Sequence, residues 1–217
     1  MARSSTLARN QSGGRGGLWW LAKPAVYIIG VVPAVWTFYL GITDQLGADP
    51  LKVLERSLGL WSLRFLVIGL AISPLRSFAG INLLRYRRAA GLLAFIYALL
   101  HVAVYVWPEQ GLDLAAILKD IIKRPYITVG LLAFLILIPL AATSNAASIR
   151  KLGSAWQKLH RWVYLAAAAA ALHFAMLVKT LTAEPLIYAA LVSGLLLLRL
   201  MPKTRVRTAR RMAAAAQ

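Results

Sequence analysis

The sequence predicts an all-α integral membrane protein: a six-transmembrane-helix bundle with both termini cytoplasmic. Three observations predict it. The 217 residues are 60% hydrophobic and 15% charged, with a mean hydropathy of +0.67, whereas a soluble domain carries about 25% charged residues. Six stretches approach the roughly 20 apolar residues that a helix needs to cross the hydrocarbon core. The basic residues fall on alternate sides of those stretches.

The first span is Pro24–Ile42, with Pro33 inside it and Trp19, Trp20 and Tyr39 near its ends. The second, Ser57–Leu75, is interrupted by Arg64; the third is Ala89–Trp107; the fourth, Pro125–Ala142, has Pro139 near its end. The fifth is Trp162–Val178 and the sixth Pro185–Met201. Arg199, in the last turn of the sixth, is expected to snorkel to the inner surface. Pro24, Pro125 and Pro185 stand at helix starts, where a missing N–H costs nothing. Three regions follow: a tail over 1–17, a membrane domain over 18–201, and a basic tail over 202–217. No secretory signal, twin-arginine pair or fixed-period repeat is read from the chain.

The segments before span one, between two and three, between four and five, and from Arg199 in the last turn of span six onward hold 4, 4, 4 and 6 Lys/Arg and no Asp or Glu. The other three segments hold six basic residues and all seven acidic ones. This asymmetry places both termini inside and requires an even number of spans. It also accounts for the net charge of +18: the basic side faces an anionic leaflet. Nucleic-acid binding is therefore not expected. The chain has no cysteine, which removes disulfides, iron–sulfur clusters and thiol chemistry.

Ionisable groups within a bilayer are costly and mark functional sites. The chain has three histidines. His101 lies six residues before the outer edge of span three, about 9 Å deep, and His173 five residues before the outer edge of span five, about 8 Å deep. Two imidazoles at one level on parallel spans suit a single ligand held between two helices, as a flat macrocycle with an iron requires. The alternative is that each imidazole only hydrogen-bonds a neighbouring helix. With no Cys, Asp or Glu at this depth, a closed tetrahedral zinc site lacks ligands. Two axial imidazoles would leave iron no open position, so the site would pass electrons.

The alanine run Ala166–Ala171 allows close approach of a helix or macrocycle. Arg64, about 10 Å deep, either pairs with a haem propionate or snorkels outward. His160, at the inner entrance of span five, points about 140° away from His173. Its candidate roles are quinone or flavin contact, inner haem ligand, and structural hydrogen bond. Arg87 and Arg88 occupy the inner end of span three, where a second haem would want a histidine; Arg87 joins the candidate cofactor-binding residues. Leu112–Ile122, in the longest outer loop, forms either a short amphipathic docking helix or a solvated loop.

Histidines on spans three and five, with a third at the foot of five, resemble the ferric-reductase-like transmembrane domain. Closer runs are Gly47-Ala48-Asp49-Pro50 after span one and Arg85-Tyr86-Arg87-Arg88-Ala89-Ala90-Gly91-Leu92, with Leu100-His101, in span three. Others are Arg124-Pro125-Tyr126-Ile127-Thr128-Val129-Gly130, Thr143-Ser144, Lys151-Leu152-Gly153, Trp156-Gln157, Leu159-His160, Val163-Tyr164-Leu165 and Pro185-Leu186-Ile187-Tyr188. In order and spacing these are similar to the MsrQ (YedZ) family over most of the chain. The resemblance implies haem b, an association with FMN, and a bacterial inner-membrane location. It also implies electron transfer from the quinone pool or a flavin reductase to MsrP, a periplasmic molybdopterin subunit that reduces methionine sulfoxide in oxidised envelope proteins. His101, His160 and His173 then fall on the family's histidine positions, with His101 and His173 expected on one haem. No G-x-G-x-x-G fingerprint is present, so FMN rests on the resemblance alone. An outside source of reducing equivalents is expected, and sulfoxide chemistry itself is expected in the partner. A stand-alone ferric or quinone reductase and a non-redox transporter or scaffold are the rival functions.

Overall fold

In a computed structural model, residues 22–177 and 182–200 are described. Both tails, Trp19 and Trp20, and the span edges at Val178 and Met201 lie outside the described residues. The described residues form nine α-helices and no strand: α1 Ala22–Ile42, α2 Pro50–Phe78, α3 Arg87–Val104, α4 Leu114–Lys123, α5 Pro125–Ala142, α6 Ala146–Leu152, α7 Ser154–His160, α8 Val163–Leu177 and α9 Ala183–Leu200. A 3-10 turn, Leu84–Tyr86, leads into α3, and a single π-helical turn, Tyr105–Glu109, ends it at Pro108. Four stretches among the described residues are long and apolar enough to cross a membrane: Pro24–Ile42, Pro50–Phe78, Leu84–Glu109 and Pro125–Ala142. The predicted fifth and sixth spans correspond to α8 and α9, of which 15 and 18 residues are described.

α2 is longer than its predicted apolar core because Pro50 opens the helix about two turns earlier, with Asp49 before it. The predicted basic segment between spans four and five is not a bare loop. It folds as α6 and α7, joined at Gly153 with φ 51°, a backbone region that suits glycine.

The bundle packs chiefly α2 on α3 and α5 on α8, with α9 against α8 and α1 across α2 and α3. One buried cluster joins Leu58, Phe65 and Leu66 of α2 to Leu93, Ala94 and Tyr97 of α3, with Leu137 and Ala166 beneath. A second joins Leu63 and Leu70 to Ala167, Ala171 and Val192. The alanine run therefore serves helix packing on two sides at once. Gly30 of α1 has no room for a Cβ against the Leu93 side chain. That contact brings Tyr97 against α1, where its hydroxyl donates to Gly30 O at 2.7 Å and accepts from Ala34 N–H at 2.9 Å. Gly30 O and Ala34 N–H are the two groups of one helical step, so the hydroxyl bonds to both ends of a step of α1 next to Pro33.

Arg199 departs from expectation. Instead of snorkelling to the surface, it turns into the bundle, donating to Tyr164 Oη and Leu70 O, each at 2.8 Å. Pro74 gives the reason: lacking N–H, it leaves the Leu70 carbonyl without its helical donor, and in a bilayer that carbonyl must find another.

Candidate functional site

His101 sits near the end of α3, against α2; His173 sits on α8, against α5. The two rings are anchored alike. His101 Nδ1 lies 2.9 Å from Glu55 O, and His173 Nδ1 lies 2.7 Å from Tyr126 O. A carbonyl oxygen only accepts, so both Nδ1 atoms carry hydrogen and both Nε2 atoms keep a lone pair. This is the tautomer in which a histidine ligates through Nε2 while its other nitrogen is held in place.

Each accepting carbonyl stands four residues before a glycine of the same helix. A Cβ on Gly59 would lie 3.1 Å from His101 Nδ1, and one on Gly130 would lie 2.6 Å from His173 Nδ1. The glycines thus let the rings rest on the neighbouring helices. These two pairs, Glu55 with Gly59 and Tyr126 with Gly130, were missed from sequence; their only signal is a glycine near each predicted span entrance, two residues past Ser57 and five past Pro125.

The two ring centroids are 6.2 Å apart, with planes crossing at 77°. An imidazole nitrogen lies about 2 Å from a metal it ligates, with the ring centre roughly 1 Å behind, so two rings on one metal are separated by about 6 Å. The residues present therefore fit an iron held between them. Among the described residues no group of three or more His, Cys, Asp or Glu could hold a metal ion.

A cavity of about 320 Å³ opens beside the rings between α2, α3, α5 and α8. Both histidines, Gly59 and Gly130 line it. Lys52, Arg56 and Arg124 line the end where α2 and α5 begin. Lys52 is paired with Asp49 at 2.7 Å and Arg124 with Asp120 at 3.2 Å. Arg56 makes no hydrogen bond or ion pair to another described residue. Arg64 is not brought to this cavity. Its Nε donates to Tyr188 Oη at 2.9 Å, a terminal nitrogen lies 3.8 Å from Glu184, and its guanidinium covers the Trp61 ring.

His160 and Arg87 line a second cavity, of about 530 Å³, at the other end of the bundle, with Arg88, Trp156, Gln157 and Arg161. His160 stacks on Trp156 with centroids 3.9 Å apart, and its Nε2 lies 3.0 Å from Thr143 Oγ1. Thr143 has one hydroxyl hydrogen, which goes to Pro139 O at 2.7 Å. His160 Nε2 must therefore donate, and Nδ1 keeps the lone pair. Burial first, then the Arg87 charge, holds the His160 pKa below its ordinary value. The cavity has four basic or imidazole side chains, an aromatic stack, and no carboxylate in its lining.

Comparison with known proteins follows the same lines. The family described as "Ferric reductase like transmembrane component" matches residues 58–171. The "Protein-methionine-sulfoxide reductase heme-binding subunit MsrQ" proteins of Brucella ovis and Brucella canis are each 55% identical over 199 residues, covering 91% of this chain and 89% of the relative. No solved structure matches the chain.

Proposed function

The chain belongs to the MsrQ family of methionine-sulfoxide-reductase heme-binding subunits, and we propose that it is a haem b protein passing electrons across a bacterial inner membrane to a periplasmic molybdopterin subunit, MsrP, that repairs oxidised methionine. The observation that carries this reading is the His101–His173 pair: ring centroids 6.2 Å apart, each with Nδ1 spent on a backbone carbonyl and Nε2 left as the lone-pair nitrogen. Against the expectation of no carboxylate at this depth, Glu55 Oε1 lies 3.9 Å from His101 Nε2. Haem supplies reversible one-electron chemistry when bound between two such ligands.

The chain's residues do the rest. Glu55 O and Tyr126 O fix both ring orientations, and Gly59 and Gly130 clear the space they turn in. The apolar walls of the cavity, Leu63, Leu66, Phe134 and Leu137, exclude water. Arg56, at the cavity's end with no direct hydrogen-bond or ion-pair partner, though its charge also acts on Asp49 and Glu55, offsets the acid groups of the macrocycle, the role first considered for Arg64. His160, Arg87, Arg88 and the Trp156 stack form the entry site for reducing equivalents from quinone or a flavin reductase, with FMN a candidate occupant of the same cavity. In this reading α1, α2, α3, α5, α8 and α9 are six spans, both termini are cytoplasmic, the His160 cavity faces the cytoplasm, and the paired histidines face the periplasm.

The test is the visible spectrum of protein purified from haem-replete cells. A reducible Soret band, lost in His101→Ala and in His173→Ala with helicity retained, is expected. A colourless, fully helical preparation would overturn the reading in favour of a non-redox membrane protein. Reduction of ferric chelates or quinones at full rate without any periplasmic partner would favour a stand-alone reductase.

A further inference from the structure

α4 has an apolar face wider than the bundle covers. Asp113 caps it, accepting from Ala115 N–H and Ala116 N–H. Ile117 and Ile121 turn inward and line the His101–His173 cavity. Leu114, Leu118 and Ile122 follow them round the helix at one-turn intervals, and they are 72%, 59% and 81% exposed. At 100° per residue these five side chains make one continuous apolar arc of about 140°, with Lys119 and Lys123 beyond its edge. Half of that arc meets protein and half is left exposed by the described residues.

The height of α4 is fixed by its ties. Only Arg124 separates it from α5, the helix that runs on from Pro125 as a membrane-crossing stretch. Thr128, already a turn into α5, donates to Ile121 O at 2.6 Å. Asp120 accepts from Tyr105 Oη of the π turn and pairs with Arg124. So the C-terminal half of α4 lies alongside the first turn of a spanning helix, not above it. With ten residues it is about 15 Å long, too short to cross.

We propose that α4 lies in the plane of the outer leaflet, with Leu114, Leu118 and Ile122 among lipid acyl chains and Lys119 and Lys123 at the phosphate level. Leu132 of the neighbouring α5 and Trp107 in the π turn are exposed apolar side chains too, and a tryptophan is suited to the interface. The lysines match anionic headgroups. The helix is then an interfacial element rather than a docking surface for a soluble partner, and lipid holds Ile117 and Ile121 in place as one wall of the histidine cavity.

The chain's lack of cysteine makes each introduced thiol unique. Full-length Leu118→Cys, Ile122→Cys and Lys119→Cys, each carrying a nitroxide, are placed in vesicles of zwitterionic and anionic phospholipid, with helicity checked by circular dichroism. Collision with dissolved oxygen should exceed collision with a water-soluble nickel chelate severalfold at 118 and 122, and the order should reverse at 119. Equal, high nickel accessibility at all three overturns the proposal, as does shielding of 118 and 122 that appears only when a soluble periplasmic protein is added. Membrane-impermeant maleimide supplies an independent reading on the unlabelled variants: fast modification at 119 and slow at 118 supports the proposal, and equal rates overturn it. Neither readout depends on haem content, so the haem reading can fail while this one stands.

Discussion

Arg199 of α9 donates across the bundle to the backbone carbonyl of Leu70 in α2, 2.8 Å away. The carbonyl is available because Pro74, four residues on, has no N–H to give it. One proline and one arginine, more than a hundred residues apart, thus satisfy a single backbone group in apolar surroundings. Arg199→Met should destabilise the bundle by about 1 kcal/mol. Pro74→Ala, by restoring the helical donor, should recover much of that loss in the double variant. Unfolding in detergent mixtures, read as a double-mutant cycle, checks it; strict additivity of the two changes would show that the pair is not coupled.

The Tyr97 hydroxyl serves α1 in a comparable way, between Gly30 O and Ala34 N–H. Tyr97 is fully buried, so Tyr97→Phe takes the hydroxyl away from both backbone groups with no water to replace it. A loss of about 1–3 kcal/mol is expected. Gly30→Ala, which drives a Cβ into Leu93, should separate α1 from α3 and cost at least as much. Thermal melting of both variants beside Leu93→Ala measures this. If Gly30→Ala is neutral, α1 does not approach α3 as closely as described.

The glycines under the two histidines should differ in consequence. At Gly130 an added Cβ would meet His173 Nδ1 at 2.6 Å, and at Gly59 it would meet His101 Nδ1 at 3.1 Å. The first clash requires the ring to move; the second asks for a few tenths of an ångström. Gly130→Ala should therefore lose most haem absorbance per protein, and Gly59→Ala should keep most of it. The reverse order in titrations of haem into apoprotein would contradict this assignment of the anchoring contacts.

Depth along a span is partly legible in sequence; facing direction is much less so. Arg64 was expected near the level of the histidines, yet it stands five residues beyond Gly59, about 8 Å further along α2, and on another side of the helix, bonded to Tyr188. Relative to Gly59, on which His101 rests, Arg64 is five residues on, about 140° round the helix, whereas Arg56 is three residues back, about 60° away. Only the observed contact of Gly59 with His101 singles out the cavity side of α2, and one chain alone does not reveal it. Four of the apolar stretches, the prolines in the first turns of helices and the amphipathic segment after span three were legible because each is a local pattern. The Leu112–Ile122 expectation needed only a shift to Leu114–Lys123, set by the Asp113 cap. Arg199 was misread because its partner, the Leu70 carbonyl, is a consequence of a proline in another helix.

The arginine assignment has its own test. A cation beside the macrocycle favours the reduced, less positive iron. Arg56→Gln should lower the midpoint potential of the bound haem, while Arg64→Gln, which loses its bond to Tyr188 and its proximity to Glu184, should leave it unchanged. Redox titration of the Soret band in both variants decides. A drop confined to Arg64→Gln would return the role to Arg64.

His160 should make its end of the bundle sensitive to acid. Its folded pKa lies below the ordinary histidine value of 6.5, through burial first and the Arg87 charge second. Between the folded value and 6.5 the unfolded chain binds more protons than the folded chain, so stability falls as pH falls through that window and is constant above it. The neutral ring already donates Nε2–H to Thr143. A second proton therefore breaks no bond; it adds a charge facing Arg87, Arg88 and Arg161 in one cavity. His160→Asn, which has nothing to titrate, should lose less melting temperature than the parent between about pH 7.5 and about pH 5. Arg87→Gln should flatten the parent's curve in part, because it removes the second cause and leaves burial. Melting curves of all three proteins that run parallel across this range would show that His160 is not the group responsible, and that its ring is more open to water than its stacking on Trp156 implies.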